Sequence, residues 1–281
     1  MTNIMAGYEF KLKYPNTKFY KLTNESECHN NFQFKDGLNV DTIKFNPLGE
    51  CYPGGLYFTE LNKISCWISY IDIMYIREVE IIDDSVVKIE QNKFKTDKFI
   101  LKNKQLISDF EYWNDLEFCK LYVKQNGMAL RYVRNKTDEL YKEAVKQNGM
   151  ALRYVLKQTD EICLLAVKNF GGALKYVLVQ TDEICKEAVK NYGMALKYVQ
   201  LQTDEICKEA VKNIGYVLEY VLVQTEEICL IAVKSNGLSL KYVLVQTDEI
   251  CKETVKSNIF ALRYVQNNKV QNYISTLDHK I

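Results

Sequence analysis

The chain has 281 residues, 47% apolar and 26% charged, which is long enough for one large or two ordinary domains and too apolar for disorder. Its 37 Lys and Arg nearly cancel 36 Asp and Glu, so no overall field attracts phosphates, and general nucleic-acid binding is not expected. The first twenty residues lack a signal-peptide core and cleavage site, and no apolar run has membrane-spanning length; a soluble, non-secreted protein is expected.

Residues 1 to 112 read as an α+β module. Ile76 to Ile82, Val86 to Ile89 and Phe99 to Leu101 have the alternating or β-branched texture of strands. Two loop-rich stretches precede them, His29 to Asp41 and Phe45 to Glu60, where Gly37, Gly49, Gly54, Gly55, Pro47 and Pro53 gather in a chain with 3 prolines. Pro53 to Phe58 reads as a tight turn into a strand. Thr59 is expected to cap a helix that runs through Trp67 to about Ile71, because Ile64, Trp67, Ile68 and Ile71 keep helical spacing. No P-loop, nucleophile elbow or HExxH motif is present. His29 is the one group near these loops that could act as an acid or base near neutrality.

From residue 113 to about 267 the pattern changes. Thr137, Thr159, Thr181, Thr203, Thr225 and Thr247 recur at one fixed step, as do tyrosines from Tyr132 to Tyr264. The step is about 22 residues, and a sustained period of that length predicts an all-α solenoid of about seven αα units. The unit T-D-E-I-C-x-x-A-V-K-x-x-G-x-A-L-x-Y-V-L-x-Q starts helix A at a threonine N-cap, followed by acidic residues that suit the helix dipole. Helix A should have about ten residues, and a shorter helix B, about seven residues and partly 3₁₀, should follow. The glycine column from Gly127 to Gly237, broken only by Ile259, reads as a left-handed C-cap of helix A. Residues 268 to 281 form a polar tail.

Five of the 9 cysteines, Cys163, Cys185, Cys207, Cys229 and Cys251, occupy one repeat position. Neighbouring helices sit about 8–10 Å apart, too far for a disulfide, so these read as core thiols. With 2 histidines in the chain and no CxxC pair, no metal site is expected. The Asp and Lys columns read as a solvated face with i,i+4 pairs such as Asp182 with Lys186, Asp204 with Lys208 and Asp248 with Lys252. The tyrosine column reads as packing with its hydroxyls at the rim. Variable positions are the partner-binding candidates: Phe170, Tyr192, Ile214 and Ser235 before the glycine, and Leu164 and Leu230 where other units carry lysine.

The units TDEICKEAVKNYGMALKYV and TDEICLLAVKNFGGALKYV resemble short tandem repeats of unknown function in uncharacterised proteins of giant DNA viruses of the mimivirus group. The front stretches YKLTNE, FKDGLNVD and CYPGGLYFT are similar to the module such proteins place ahead of ankyrin and other repeats. This resemblance implies a viral recognition protein, located in the host cytoplasm or the virion, and implies no enzymatic activity. A second resemblance, from the order of His29, FKDGL, GGLYFTE and IREVEII, is to the poly(ADP-ribose) polymerase-like fold. It implies that His29 and Tyr57 would bind a nicotinamide dinucleotide, although the HG context of that family's histidine is absent here.

The sequence therefore leads to a non-catalytic scaffold that binds a host or viral protein through the solenoid surface, with no catalytic residue and no cofactor. Two alternatives stand beside it: an ADP-ribosyltransferase-like or dinucleotide-binding front module targeted by the repeats, and a structural virion component. Residues 105 to 118 contain no Gly/Ser/Pro-rich linker, so the first repeat is expected to dock directly on the module with Trp113 or Phe118 at the junction.

Overall fold

The computed structural model describes residues 3–48, 52–68 and 73–266. Gly49, Cys51, the expected helix end at Ile71 and the tail 268–281 lie outside them. The chain forms two compact units, Met1–Thr137 and Asp138–Ile281. The division falls one repeat later than the change in sequence texture at residue 112.

In the first unit, strands β1 (Ile4–Ala6), β2 (Phe19–Thr23), β5 (Gly37–Val40), β6 (Leu56–Glu60), β7 (Tyr75–Glu80), β8 (Val86–Ile89), β9 (Phe94–Thr96) and β10 (Lys98–Leu106) make one sheet in the order β1-β8-β9-β6-β2-β7-β10-β5. The neighbouring strands pair antiparallel. The expected strands are β7, β8 and part of β10. Helix α1 (Gly7–Lys13) inserts Phe10 into a cluster of rings, 5.1 Å from both Phe19 and Phe94 and 5.9 Å from Phe58, in tilted or edge-on arrangements favoured by the ring quadrupole. A separate hairpin of β3 (Cys28–His29) and β4 (Phe32–Gln33) turns through Asn30 and Asn31, both at positive φ, a conformation asparagine tolerates. The Pro53 turn enters β6 as expected, with Gly54 at φ +88° and its backbone against the Lys44 carbonyl.

Thr59 does not cap a helix. It lies inside β6, buried, and its hydroxyl donates to the Asn92 carbonyl at 3.1 Å. A 3₁₀ turn at Leu61–Lys63 follows, and α2 starts later, at Ser65. Thr-Glu before an apolar run reads equally well as a strand end, and cross-strand pairing of β6 with β9 decided the outcome.

The first repeat packs within this unit. Trp113 is fully buried, donates from Nε1 to the Ile107 carbonyl at 2.7 Å, stacks on Tyr132 and meets Phe118 edge-on. Phe110 bridges Tyr20 of the sheet to Phe118 of α3 (Leu116–Gln125). The hydroxyl of Tyr122 donates to the Leu61 carbonyl. A continuous line of rings joins module to repeat.

In the second unit, α4 (Asp138–Gln147), α5 (Asp160–Asn169), α6 (Asp182–Asn191), α7 (Asp204–Asn213), α8 (Glu226–Ser235) and α9 (Asp248–Ser257) each have 10 residues, and a 3₁₀ helix of 6 residues follows each. From Thr159 to Thr247 each threonine hydroxyl accepts from the amide three residues on, as an N-cap should. Ile184, Cys185, Ala188, Val189, Ala195, Leu196 and Val199 are buried, and their counterparts repeat this pattern in most units. The five cysteines are free and buried. Each thiol lies 3.4–3.7 Å from a glutamine Oε1, and burial pushes Cys163, Cys185, Cys207 and Cys229 up to about 11. They are core thiols without nucleophilic character at neutral pH.

Side-chain amides join the units. Gln180 Nε2 donates to the Tyr198 carbonyl at 2.8 Å, and its Oε1 accepts from the Gln200 amide at 3.0 Å. Gln158, Gln202, Gln224 and Gln246 do the same to the next repeat. In the opposite direction, Asn191 accepts from the Gly171 amide at 2.8 Å and donates to the Lys168 carbonyl at 3.0 Å. Asn169 and Asn213 make the equivalent pairs. The orphan carbonyls at these helix ends are thus satisfied by the following repeat.

The repeat glycines are not left-handed C-caps. Among the described residues, the glycines at positive φ are Gly37, Gly54 and Gly55, and each repeat turns at the extended residue before its glycine, such as Tyr192 at φ −148°, ψ 97°. What excludes a side chain is contact with the next helix. A Cβ on Gly171 would lie 2.3 Å from the Ala188 carbonyl oxygen, and one on Gly215 would lie 2.4 Å from that of Ala232. Ile259 holds the same position and is 41% exposed.

Charge pairing follows the sequence only in part. Asp204 and Lys208 pair at 2.7 Å as expected, but Lys208 also reaches Glu227, Lys186 pairs with Glu205 and Lys142 with Glu161, all in the following repeat. Such exposed pairs contribute about 0–1 kcal/mol each.

Two measurements check this packing. Gly171→Ala should cost about 1–3 kcal/mol by overpacking against a backbone that cannot move aside, and Gly171→Asn, which suits a left-handed cap, should be no better tolerated. Chemical denaturation of both variants decides. The buried hydroxyls of Ser239 and Thr254 have no hydrogen-bond partner, so restoring the consensus with Ser239→Ala and Thr254→Ala should stabilise by about 1 kcal/mol each.

Candidate functional site

Strands β2 and β6 are in register at Phe19 with Glu60 and at Tyr20 with Thr59. Past this point β6 follows β9 and β2 follows β7, and a cleft of about 290 Å³ opens between them. The β3–β4 hairpin supplies one wall. His29 and Tyr57, chosen from the sequence, both line this cleft, His29 exposed at its mouth and Tyr57 half-buried. Trp67 and Thr59 line it too, and both hold the Asn92 carbonyl.

Two lysines that the sequence did not single out dominate its electrostatics. Lys21 is 7% exposed and Lys93 8% exposed, and both line the cleft. Lys21 Nζ sits 4.6 Å from the centre of the Phe34 ring, and Lys93 Nζ sits 4.4 Å from that of Tyr57 and 5.1 Å from that of Trp67. Burial, then the neighbouring charge of Lys93, lowers the Lys21 pKa to about 7. Partial burial, then Lys21 and Lys93, holds His29 below the ordinary histidine range. Among the described residues, no Asp or Glu lines the cleft. Glu27, in the loop between β2 and β3, is occupied by Arg77 at 2.8 Å and Lys104 at 2.9 Å, and these cations hold its carboxyl below the usual range. Nothing in a lysine within β2 distinguishes it from a solvated one until the strands part; alternation even placed apolar Tyr20 and Leu22 beside it.

The repeat surface presents a different feature. Phe170 is 40% exposed and stacks on Tyr192 at 5.8 Å, and Ile214 lies half-buried in the same series of junctions. Leu164 and Leu230 are half-buried on their helices. The more exposed apolar groups stand elsewhere, in the turn after each 3₁₀ helix. Leu156, Leu201, Leu222, Val223, Leu244 and Val245 are 75–77% exposed, with Leu178 and Val179 close behind. These residues occupy two adjacent repeat positions, so the stack aligns them in a row. The tyrosine column is half-buried, with a Lys or Arg over most of its rings, as Lys197 lies 4.9 Å from the centre of Tyr198.

A family described as Domain of unknown function (DUF4116) matches residues 137–180, 159–204, 181–224, 203–246 and 225–268, each stretch two repeats long. The chain is 36% identical over 114 residues to Uncharacterized protein R869 of Acanthamoeba polyphaga mimivirus, an alignment covering 38% of this chain and 81% of that one. The chain belongs to this family of uncharacterised mimivirus proteins. Two further mimivirus relatives are named as ankyrin repeat proteins: R868, 33% identical over 39% of this chain and 57% of its own, and R838, 33% identical over 41% and 47%. The alignments thus span about half the length of these two relatives. No solved structure matches the chain. Among the described residues of this family member, no helix is long and apolar enough to cross a membrane.

The depressed Lys21 has a thermodynamic signature. Below pH about 7 the ammonium is charged in both folded and unfolded states, and the folded state carries the full cost of burying it. Between about 7 and the ordinary lysine value near 10.4 the unfolded chain binds more protons, so folded stability rises with pH. Lys21→Met should therefore stabilise the protein, by on the order of 1 kcal/mol or more near neutrality, with the difference shrinking towards about pH 10. Denaturation curves of both forms across that range check it.

Proposed function

We propose that this mimivirus protein is a non-catalytic interaction scaffold whose repeat array holds a host or viral protein partner, with the turn after each 3₁₀ helix as the contact surface. The observation that carries this reading is the row of aliphatic side chains from Leu156 to Val245, which are left in water while the same turns bury Val155, Val177, Val199, Val221 and Val243. Contiguous exposed apolar surface on a folded chain is the usual mark of an interaction site. Repetition suits it to an extended partner, because each unit offers the same two positions again. The mimivirus relatives named for ankyrin repeats add support, as repeat arrays in general present such surfaces.

The non-catalytic part of the proposal is supported by the cleft. Transfer of ADP-ribose needs a carboxylate to stabilise charge at the anomeric carbon, and the described lining of the cleft offers lysines and a histidine.

The test compares the full chain with a variant carrying Leu178→Ser, Val179→Ser, Leu222→Ser and Val223→Ser. Since these side chains are mostly exposed, the melting curve should change little. Proteins recovered from infected-cell lysate by the wild type should be lost from the variant. Recovery of the same set by both would contradict the array surface, and labelled ADP-ribose transferred from nicotinamide dinucleotide by the wild type, but not by His29→Ala, would contradict the non-catalytic reading.

A further inference from the structure

The cleft of the first unit is a built site whose occupant can be read from its chemistry, independently of the partner surface on the repeats. Burying an ammonium costs several kcal/mol unless it is paired, so buried lysines ordinarily meet a carboxylate or carbonyls. Lys95, also fully buried, follows that rule: its Nζ donates to the Asn46 carbonyl at 2.8 Å and the Tyr52 carbonyl at 3.0 Å. Lys21 does not. Among the described residues its ammonium has the Phe34 ring as its neighbour and no hydrogen bond or ion pair, although more than nine-tenths of the residue is buried.

The surrounding charges deepen the deficit. Lys93 adds a like charge beside Lys21, both lysines act on His29 of the hairpin, and Arg77, the cross-strand neighbour of Lys21 on β7, is paired with Glu27 and Asp36. Of the nearby carboxylates among the described residues, Glu27 is held by Arg77 and Lys104, Asp36 by Arg77, Asp41 accepts from the Ile43 and Gly55 amides, and Glu90 lies 3.7 Å from Lys93 and 3.0 Å from Lys88. A cleft with this surplus of positive charge and largely hydrocarbon walls is complementary to a compact ligand of the opposite kind.

We propose that the cleft binds a small organic oxyanion, a sulfonate, phosphate or carboxylate on a flat apolar body, with the anionic head on Lys21 and Lys93 and the body between Phe34, Tyr57 and Trp67. The anion supplies the missing partner of Lys21. The volume, about 290 Å³, is at the lower end for small-molecule pockets and admits a ring with its head group. Binding draws Lys21 to its charged form, so the site takes up protons as it fills.

Benzenesulfonate is the probe, because it stays anionic throughout the range and leaves any pH dependence to the protein. Titration of the full chain, read by calorimetry and by fluorescence of Trp67, should show saturable binding that weakens about tenfold or more from about pH 6.5 to about pH 8.5. Phenol, the neutral analogue, should not saturate over the same range. Lys21→Met should weaken benzenesulfonate about tenfold or more, and His29→Gln should keep the wild-type pH dependence. Lys93→Gln, tested alongside, should weaken binding as well, and the pH arm on the wild type stands even where a variant fails to fold. No saturable binding of benzenesulfonate, equal binding of phenol, or a pH dependence abolished by His29→Gln would each overturn the assignment.

Discussion

The side chain of one glutamine per repeat holds the second unit together. Its amide group bridges to a carbonyl and an N–H of the following repeat, while its oxygen also faces the buried thiol of its own helix. Each such group connects the end of one short 3₁₀ helix to the end of the next, at a point where six-residue helices leave their last backbone groups unsatisfied. Without it the turns would carry orphan polar groups beside a buried valine. Asn169, Asn191 and Asn213 work in the opposite direction, so the junctions that have both groups are tied twice. The glycine contact lies at the same junctions, where the backbones come so close that no Cβ fits between them.

Much of this architecture was legible from periodicity and local chemistry. Threonine N-caps, ten-residue helices, a short second helix and buried cysteines all depend on contacts within a few residues or on a stripe that repetition makes plain. The junctions were not legible, because Gln180 and Asn191 act across about one full period, and a perfectly repeated residue gives no sign of whether its partner lies in its own unit or the next. Glycine misled for the same reason. A glycine after a helix suits a left-handed cap, and only the neighbouring carbonyl reveals the alternative. Thr59 shows the corresponding limit in the front module, where pairing with β9 outweighed a plausible capping signal.

The functional surfaces divide along the same line. His29 and Tyr57 could be chosen together because the order of motifs resembles a poly(ADP-ribose) polymerase-like fold, and they do share a cleft. Lys21 and Lys93 give that cleft its character, yet their burial arises from where two strands part, which no local pattern encodes. On the repeats, variable positions such as Phe170 and Tyr192 fill the junctions between units, while the exposed leucines and valines stand in the turns, at two positions that Lys157 and Gln200 also occupy. The structure places them in water.

The amide of Leu222 tests the junction most directly, since Leu222 is 75% exposed and its N–H is held by Gln202 Oε1 at 3.0 Å. Amide hydrogen exchange in wild type and Gln202→Ala, followed at Leu222 and at Gln200, separates the tie from general loosening. The account predicts that Leu222 loses its protection while Gln200, held by Gln180, keeps more of its own. Equal protection of Leu222 in the two proteins would contradict it.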